Sequence, residues 1–161
     1  MAYWIAEDVE VVQIRERDLS VRDLAELTRQ VLALRHGHAT KVLVNDRADV
    51  ALACGADGVH LRDRSVDPEK FRRPDFLVSV SCHNVNDAEK LAGASFIVLA
   101  PIFQPLSKAA QGPALGVSAI REFTRRSAVP VLALGGITDQ NARTCIDAGA
   151  VGIAGITYFS R

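Results

Sequence analysis

Between Val129 and Thr157 the chain reads VPVLALGGITDQNARTCIDAGAVGIAGIT, a stretch that narrows the choice of folds more than any other. The run from Val129 to Leu134 is apolar without alternation, which suits a strand buried on both faces, as parallel strands in α/β proteins are. It stops at Gly135-Gly136. A helix-length stretch of polar and small residues follows, and then a second apolar run, Val151 to Ile156, broken by glycines. Two readings of the Gly-Gly pair stand side by side. One is a tight turn; the other is a place where backbone N–H groups approach a ligand that a side chain would exclude. In (β/α)8 barrels a phosphate often sits between the loops after the last two strands, held by backbone N–H groups and a helix N-terminus. Gly135 and Gly136 are therefore a candidate phosphate site.

The same alternation runs through the rest of the chain. Val9 to Glu16 (VEVVQIRE) reads as a strand that turns polar at its end. Ser20 is a candidate N-cap with Asp23 in the first turn; Leu24, Leu27, Val31 and Leu34 recur at helical spacing, and Gly37 closes the helix. Lys41 to Asp46 is a strand, Ala48 to Cys54 a short helix and Gly58 to Leu61 another strand. After a proline-containing connection, Phe76 to His83 forms a strand, and Asn84 caps Val85 to Ala92. Phe96 to Phe103 forms the next strand, a Gly/Pro-rich loop covers Gln104 to Gly116, and Val117 to Arg126 is helical. Strands separated by helix-length segments imply an α/β fold with a parallel sheet and right-handed crossovers, closed as a barrel or open as a doubly wound sheet. No GxGxxG follows an early strand, which counts against a dinucleotide-binding unit.

The strands end in polar or small residues: Arg15-Glu16, Asn45-Asp46, His60, Ser81 to His83, Pro101 and Gly135-Gly136. Catalytic groups collect at that face of a barrel. The predicted fold is a TIM-type (β/α)8 barrel, a single domain over residues 1–161. Such a barrel usually takes at least about 200 residues, against 161 here. The first βα unit and the last helix are thus expected to be missing. Either the barrel is shortened and its open edge is covered by a partner, with a homo-oligomer one way to do so, or the chain is a fragment.

Composition narrows the partners. Nineteen basic and 19 acidic residues argue against a general affinity for nucleic acid or an anionic membrane and leave room for a small basic pocket. No apolar run approaches the roughly 20 residues that span a bilayer, and the N-terminus lacks the layout of a secretory signal. Cys54, Cys82 and Cys145 are odd in number and form no CxxC pair. Reduced thiols in a cytoplasmic protein are expected, and a zinc site is not.

Seven motifs then occur in order and spacing: QIRER (Gln13 to Arg17), VNDR (Val44 to Arg47), GADGVHL (Gly55 to Leu61), VSCH (Val80 to His83), APIF with Ser107-Lys108 following, ALGGI (Ala133 to Ile137) and AGAVGIAGI (Ala148 to Ile156). Together they resemble thiamine phosphate synthase and its thiazole-tautomerase relatives, a TIM-barrel superfamily, over nearly the whole chain. The resemblance implies an enzyme that joins a pyrimidine methyl diphosphate to a thiazole phosphate and releases pyrophosphate. A diphosphate leaving a carbon that becomes cationic calls for Mg2+, basic donors and ordered N–H groups around the departing oxygens. By resemblance, Gln13, Arg15 and Arg17 line the pyrimidine diphosphate pocket, with Arg17 where the family usually has lysine. Asn45 contacts the same substrate and Asp46 binds magnesium. Ser81 and Lys108 hold the diphosphate, Lys108 stabilising the leaving group. Ser107, Gly136, Ile156 and Thr157 receive the thiazole phosphate.

Each assignment has a plainer rival. Arg15 can pair with Glu16, Asp46 can cap the helix that follows it, and Lys108 can be a solvated loop lysine. His60 reads as structural, and His83 as either. The chain also departs from the family. After VHL the family typically carries a Gly-Gln-Glu-Asp-like turn whose Asp is the second magnesium ligand; here the turn is Arg62-Asp63-Arg64-Ser65, with Ser65 at the ligand position and neither Asp63 nor Asp67 in register. The usual Thr-x-Thr before the lysine is Pro105-Leu106-Ser107. A lone Asp46 would hold a hard cation weakly, so weak or altered activity is expected. Three functions follow: a divergent synthase; a thiazole tautomerase, whose usual histidine is replaced here by Pro101; and a non-catalytic phosphate-binding paralogue, suggested by Ser65 and the missing segments.

Overall fold

The computed structural model describes residues 2–7, 9–104, 113–156 and 158–159. Seven strands form one parallel sheet: β1 Val11–Ile14, β2 Lys41–Asn45, β3 Gly58–Leu61, β4 Leu77–Cys82, β5 Phe96–Leu99, β6 Val131–Leu134 and β7 Gly152–Ala154. The α-helices are α1 Ala2–Ala6, α2 Val21–Leu34, α3 Ala48–Cys54, α4 Val117–Arg126 and α5 Asp139–Asp147, and 3-10 turns cover Pro68–Phe71 and Val85–Leu91. Strand order in the sheet equals chain order, which decides between the two arrangements that the sequence allows. Each right-handed crossover steps one strand in the same direction, so the helices fall on one face and the sheet curls. A doubly wound sheet would reverse its order at a switch point. The sheet is an arc of a TIM-like barrel. Its ends come near each other: Trp4 Nε1, ahead of β1, donates to the Phe159 carbonyl beyond β7 at 2.5 Å.

Strand residues alternate between two layers. Val12, Ile14, Val42, Val44, Val59, Leu61, Val78, Val80, Ile97, Leu99, Val131 and Ala133 face the helices and pack with Leu24, Val31, Val50, Ile120, Phe123 and Cys145 in one buried cluster. The alternate positions face the inside of the arc. Toward the C-terminal ends of β1 to β4 they are Gln13, Asn45, His60 and Ser81 rather than apolar residues.

Local chemistry sets the element ends. Ser20 Oγ accepts from the Asp23 N–H at 3.2 Å and starts α2. Gly55, in the left-handed region at φ 72°, ends α3. Asn84 caps the segment after β4, accepting from Asn86 N–H at 3.0 Å, although that segment is 3-10 and not α-helical. The expected strand from Phe96 to Phe103 stops at Leu99. Ala100 N–H still reaches the Cys82 carbonyl at 3.0 Å, but Pro101 has no N–H to continue the ladder. Cys54, Cys82 and Cys145 are unpaired thiols. Among the described residues no helix is long and apolar enough to cross a membrane.

At the N-terminal end of the strands one residue, Asp57, ties four elements together through its carboxylate and its main chain. Asp57 accepts from the Arg35 guanidinium at the end of α2 and from the Val42 N–H of β2 at 2.8 Å, and Lys41 stands 3.4 Å away. Its own N–H and C=O bond Val42 and Leu77. Burial alone would raise the Asp57 pKa; the Arg35 and Val42 hydrogen bonds and the two cations outweigh it and hold the carboxyl below its usual range. With the folded pKa lowered, the stabilisation is complete above the ordinary carboxylate pKa and is lost as pH falls below it. Asp57→Asn keeps the shape but loses both ion pairs, and is expected to cost about 2 kcal/mol, read as a lower urea midpoint with unchanged slope.

Candidate active site at the C-terminal ends of the strands

A continuous polar chain crosses the C-terminal ends of β1, β2 and β3. Gln13 Nε2 donates to Asn45 Oδ1 at 2.7 Å, and Asn45 Nδ2 donates to Asp46 Oδ2 at 3.0 Å. Asp46 follows β2 in the left-handed region, φ 57°, a conformation that aspartate tolerates better than most residues. It is held there by two main-chain contacts to β3 and its turn: Asp46 N–H donates to the His60 carbonyl at 2.8 Å, and Arg62 N–H donates to Asp46 Oδ1 at 3.1 Å. Arg62 Nε lies 2.7 Å from Asp46 Oδ2 as an ion pair. The capping role considered for Asp46 is not realised, since the residue preceding α3 is Arg47 and no side chain caps that helix.

Beside this chain His60 bridges two serines of β4. Its Nδ1 is 2.7 Å from Ser79 Oγ and its Nε2 is 2.8 Å from Ser81 Oγ. The register pairs His60 with Ser79, so the ring lies between two hydroxyls on one face of the neighbouring strand. His60 is only 6% exposed and Ser79 is fully buried. Burial pushes the imidazole pKa down to about 4; Asp46 opposes that shift and Arg15 adds to it. A neutral ring donates from one nitrogen and accepts at the other, so both nitrogens are used by the serines and neither is left for a metal. The structural reading of His60 thus describes its contacts. His83 is exposed, and its Nδ1 donates to the Ala100 carbonyl at 2.6 Å.

Across the arc, Gly135 and Gly136 both have left-handed backbones, φ 100° and 60°. A side chain at Gly135 would meet Pro101 at 2.8 Å, and one at Gly136 would meet the Gln104 carbonyl at 2.6 Å. Phe103 N–H donates to the Gly135 carbonyl at 3.0 Å. The pair therefore lets the loop after β6 pack directly on the loop after β5. Asn141 of α5 braces it, donating from Nδ2 to the Gly136 carbonyl at 2.9 Å and accepting from Thr138 N–H at 2.8 Å.

Of the residues singled out from sequence, the structure joins Gln13, Asn45, Asp46 and, through His60, Ser81 at one end of the sheet, with Gly135-Gly136 at the same end. Arg15 and Arg17 are exposed just beyond β1, and Arg15 does not pair with Glu16. Ile156, beyond β7, is 76% exposed. Ser107, Lys108 and Thr157 lie outside the described residues. Sequence reasoning missed Ser79 and Arg62. Ser79 was detectable, because Ser79 and Ser81 alternate with valines in one strand; nothing local marks Arg62 as the partner of Asp46.

A magnesium site was expected at Asp46. Its carboxylate already meets the Asn45 amide, the Arg62 N–H and the Arg62 guanidinium. Asp67 is used elsewhere, accepting from Glu69 N–H at 3.0 Å as a helix cap, and Ser65 is exposed. Among the described residues no three His, Cys, Asp or Glu side chains are grouped to hold a metal. These residues do not make a magnesium site by themselves.

A curled parallel sheet with its polar side chains gathered at the C-terminal strand ends defines a TIM-barrel type of enzyme site. The chain matches the thiamine monophosphate synthase family over residues 2–159 and belongs to that family. A relative from Aquifex aeolicus is 40% identical over 159 residues, spanning 96% of this chain and 85% of its own length. The thiamine-phosphate synthase of Methanoregula boonei is 40% identical over 157 residues, 94% of this chain and 73% of the relative. The solved structure of thiamine phosphate pyrophosphorylase from Pyrococcus furiosus superposes with a TM-score of 0.82 at 27% identity, covering 97% of this chain and 77% of that one.

The depressed His60 pKa makes a prediction about stability. The unfolded chain takes up a proton as pH falls through 6.5, while the folded chain resists until about 4. Stability is complete above the higher value and is lost progressively toward the lower one, by roughly 3 kcal/mol over the window. Urea midpoints across that window should fall in the wild-type chain, and the slope should flatten in His60→Gln.

Proposed function

We propose that the chain is a thiamine phosphate synthase: it joins a hydroxymethylpyrimidine diphosphate to a thiazole phosphate, forming thiamine phosphate and releasing pyrophosphate. The arc is read as seven units of a (β/α)8 barrel, and a cytoplasmic location belongs to the same reading. The observation that carries the proposal is the Gln13–Asn45–Asp46 chain running beside a serine fixed by His60, opposite the Gly135-Gly136 turn.

In this reading the bond between the pyrimidine methylene carbon and the diphosphate oxygen breaks, the diphosphate leaves with the electron pair, and the thiazole nitrogen forms the new C–N bond. No proton needs to move for the charges to balance. The demand on the protein is electrostatic: the departing oxygens must be stabilised while the carbon carries positive charge. Gln13 and Asn45 orient the pyrimidine end. Arg15 and Arg17 face the diphosphate, with Lys108 assigned from sequence to the same leaving group. Ser107, Gly135, Gly136, Ile156 and Thr157 receive the thiazole phosphate. The Ser81 O–H donates a hydrogen bond to a diphosphate oxygen. That role needs the His60 tautomer with Nε2–H donating to Ser81 Oγ and Nδ1 accepting from Ser79, which leaves the Ser81 O–H free. The low imidazole pKa supports a relay that stays neutral at working pH.

A second reading, a phosphate-binding paralogue without turnover, is favoured by one observation: the Asp46 carboxylate is already engaged by Arg62. Incubating the chain with both phosphorylated substrates decides between them. The synthase reading expects one thiamine phosphate per pyrophosphate released, and Ser81→Ala should lower kcat by about 10- to 100-fold by removing one leaving-group donor. Tight binding of thiazole phosphate with no product would establish the second reading.

A further inference from the structure

We propose that Arg62, anchored on Asp46, supplies the positive charge at the diphosphate position, so that this chain binds diphosphate without a divalent cation. The inference rests on the diphosphate reading given under Proposed function and concerns how that same site is neutralised.

A carboxylate that serves a hard cation must offer it free oxygen lone pairs. Asp46 Oδ1 accepts from the Arg62 main chain, and Oδ2 accepts from Asn45 and lies 2.7 Å from Arg62 Nε. A magnesium ion at Oδ2 would share the carboxylate with the guanidinium and sit beside a like charge. Among the described residues it would also find no group of three or more His, Cys, Asp or Glu side chains to complete its coordination.

The geometry suits the arginine to the task instead. Arg62 meets Asp46 through Nε, the side of the guanidinium away from its paired Nη edge. That edge is the planar fork that grips phosphate through two parallel hydrogen bonds. The side chain is 72% exposed while Asp46 is 22% exposed, so the carboxylate is seated in the turn and the guanidinium is open to an incoming anion. An exposed pair of this kind holds weakly, so the guanidinium can lean toward an incoming anion while the Asp46 carboxylate keeps its bonds from Asn45 and the Arg62 main chain. Charge favours this arrangement. Asp46 and Arg62 together are neutral, so the carboxylate does not repel the ligand, and Arg15 and Arg17 add two further exposed cations beyond β1.

The test is calorimetric titration of the whole chain with inorganic pyrophosphate, in EDTA and again in excess Mg2+, comparing wild type, Arg62→Ala and Arg62→Lys, with thermal unfolding as a check on folding. The inference expects wild type to bind in EDTA with little gain from Mg2+. It expects Arg62→Ala to lose about tenfold or more in EDTA, and Arg62→Lys, which keeps the charge but not the fork, to fall between. Wild-type binding that requires Mg2+ would overturn the inference and leave the synthase reading standing. Binding in EDTA that neither substitution weakens would also overturn it, as a turn pair with no part in the ligand would give that result. No binding of pyrophosphate in either buffer would overturn both readings.

Discussion

The twofold period of a β-strand is the constraint on which everything else in this molecule depends. In each strand one set of residues must be apolar enough to bury the helices, and the alternate set is released from that duty. Val59 and Leu61 of β3 belong to the helix-facing cluster, while His60 between them faces the other way. Val78 and Val80 of β4 frame Ser79 in the same manner. A register slip of one residue would drive the histidine and both serines into the apolar layer and turn valines toward the site. Fold and chemistry are therefore specified by the same hydrogen-bonded ladder, and neither can be altered without the other.

The two ends of the arc treat charge differently. At the N-terminal end Asp57 is satisfied from several sides at once, by Arg35, Lys41 and the Val42 N–H, so the charges there are consumed in holding α2, β2 and β3 together. At the C-terminal end the carboxylate of Asp46 is matched by one arginine, and Arg15 and Arg17 extend outward beyond β1. A protein that needed only stability would have little use for unmatched cations beside a row of polar strand ends. Their presence at the end where strand termini and loops meet is what an anionic ligand would require.

How much of this was legible in the sequence follows from which forces are local. Gly58–Leu61, Ala48–Cys54 and Val117–Arg126 fall where apolar runs and helical spacing place them, because propensity, burial and flanking breakers agree there. The barrel was favoured over an open sheet only through the polar residues gathered at the strand ends, since strand order is a fact of tertiary pairing that no single run encodes. The site divides in the same way. Asn45, Asp46 and Ser81 could be singled out as polar residues ending apolar strands. The partner that fixes Asp46, however, arrives through the Asn45–His60 register from the turn after β3, and no spacing rule points to it. The Gly135-Gly136 pair was open between a turn and a ligand-facing backbone. Its steric fit against Pro101 and Gln104 gives the turn a sufficient reason, and any role toward phosphate is additional.

Three of the left-handed backbone positions at this end, Asp46, Gly135 and Gly136, are not equivalent, and the difference bears on how the site works. Gly135 and Gly136 have no room for a Cβ, so glycine there is required by packing alone. Asp46 adopts φ 57° with a full side chain, at a conformational cost of about 1 kcal/mol relative to a glycine in the same turn. What offsets that cost is a set of contacts only this side chain and this backbone geometry can make: the N–H bond to His60 O, and the carboxylate seat for the Arg62 main chain and guanidinium. A glycine at this position would relax the backbone and abolish the seat, so the strain is better understood as part of the site than as a defect of the fold.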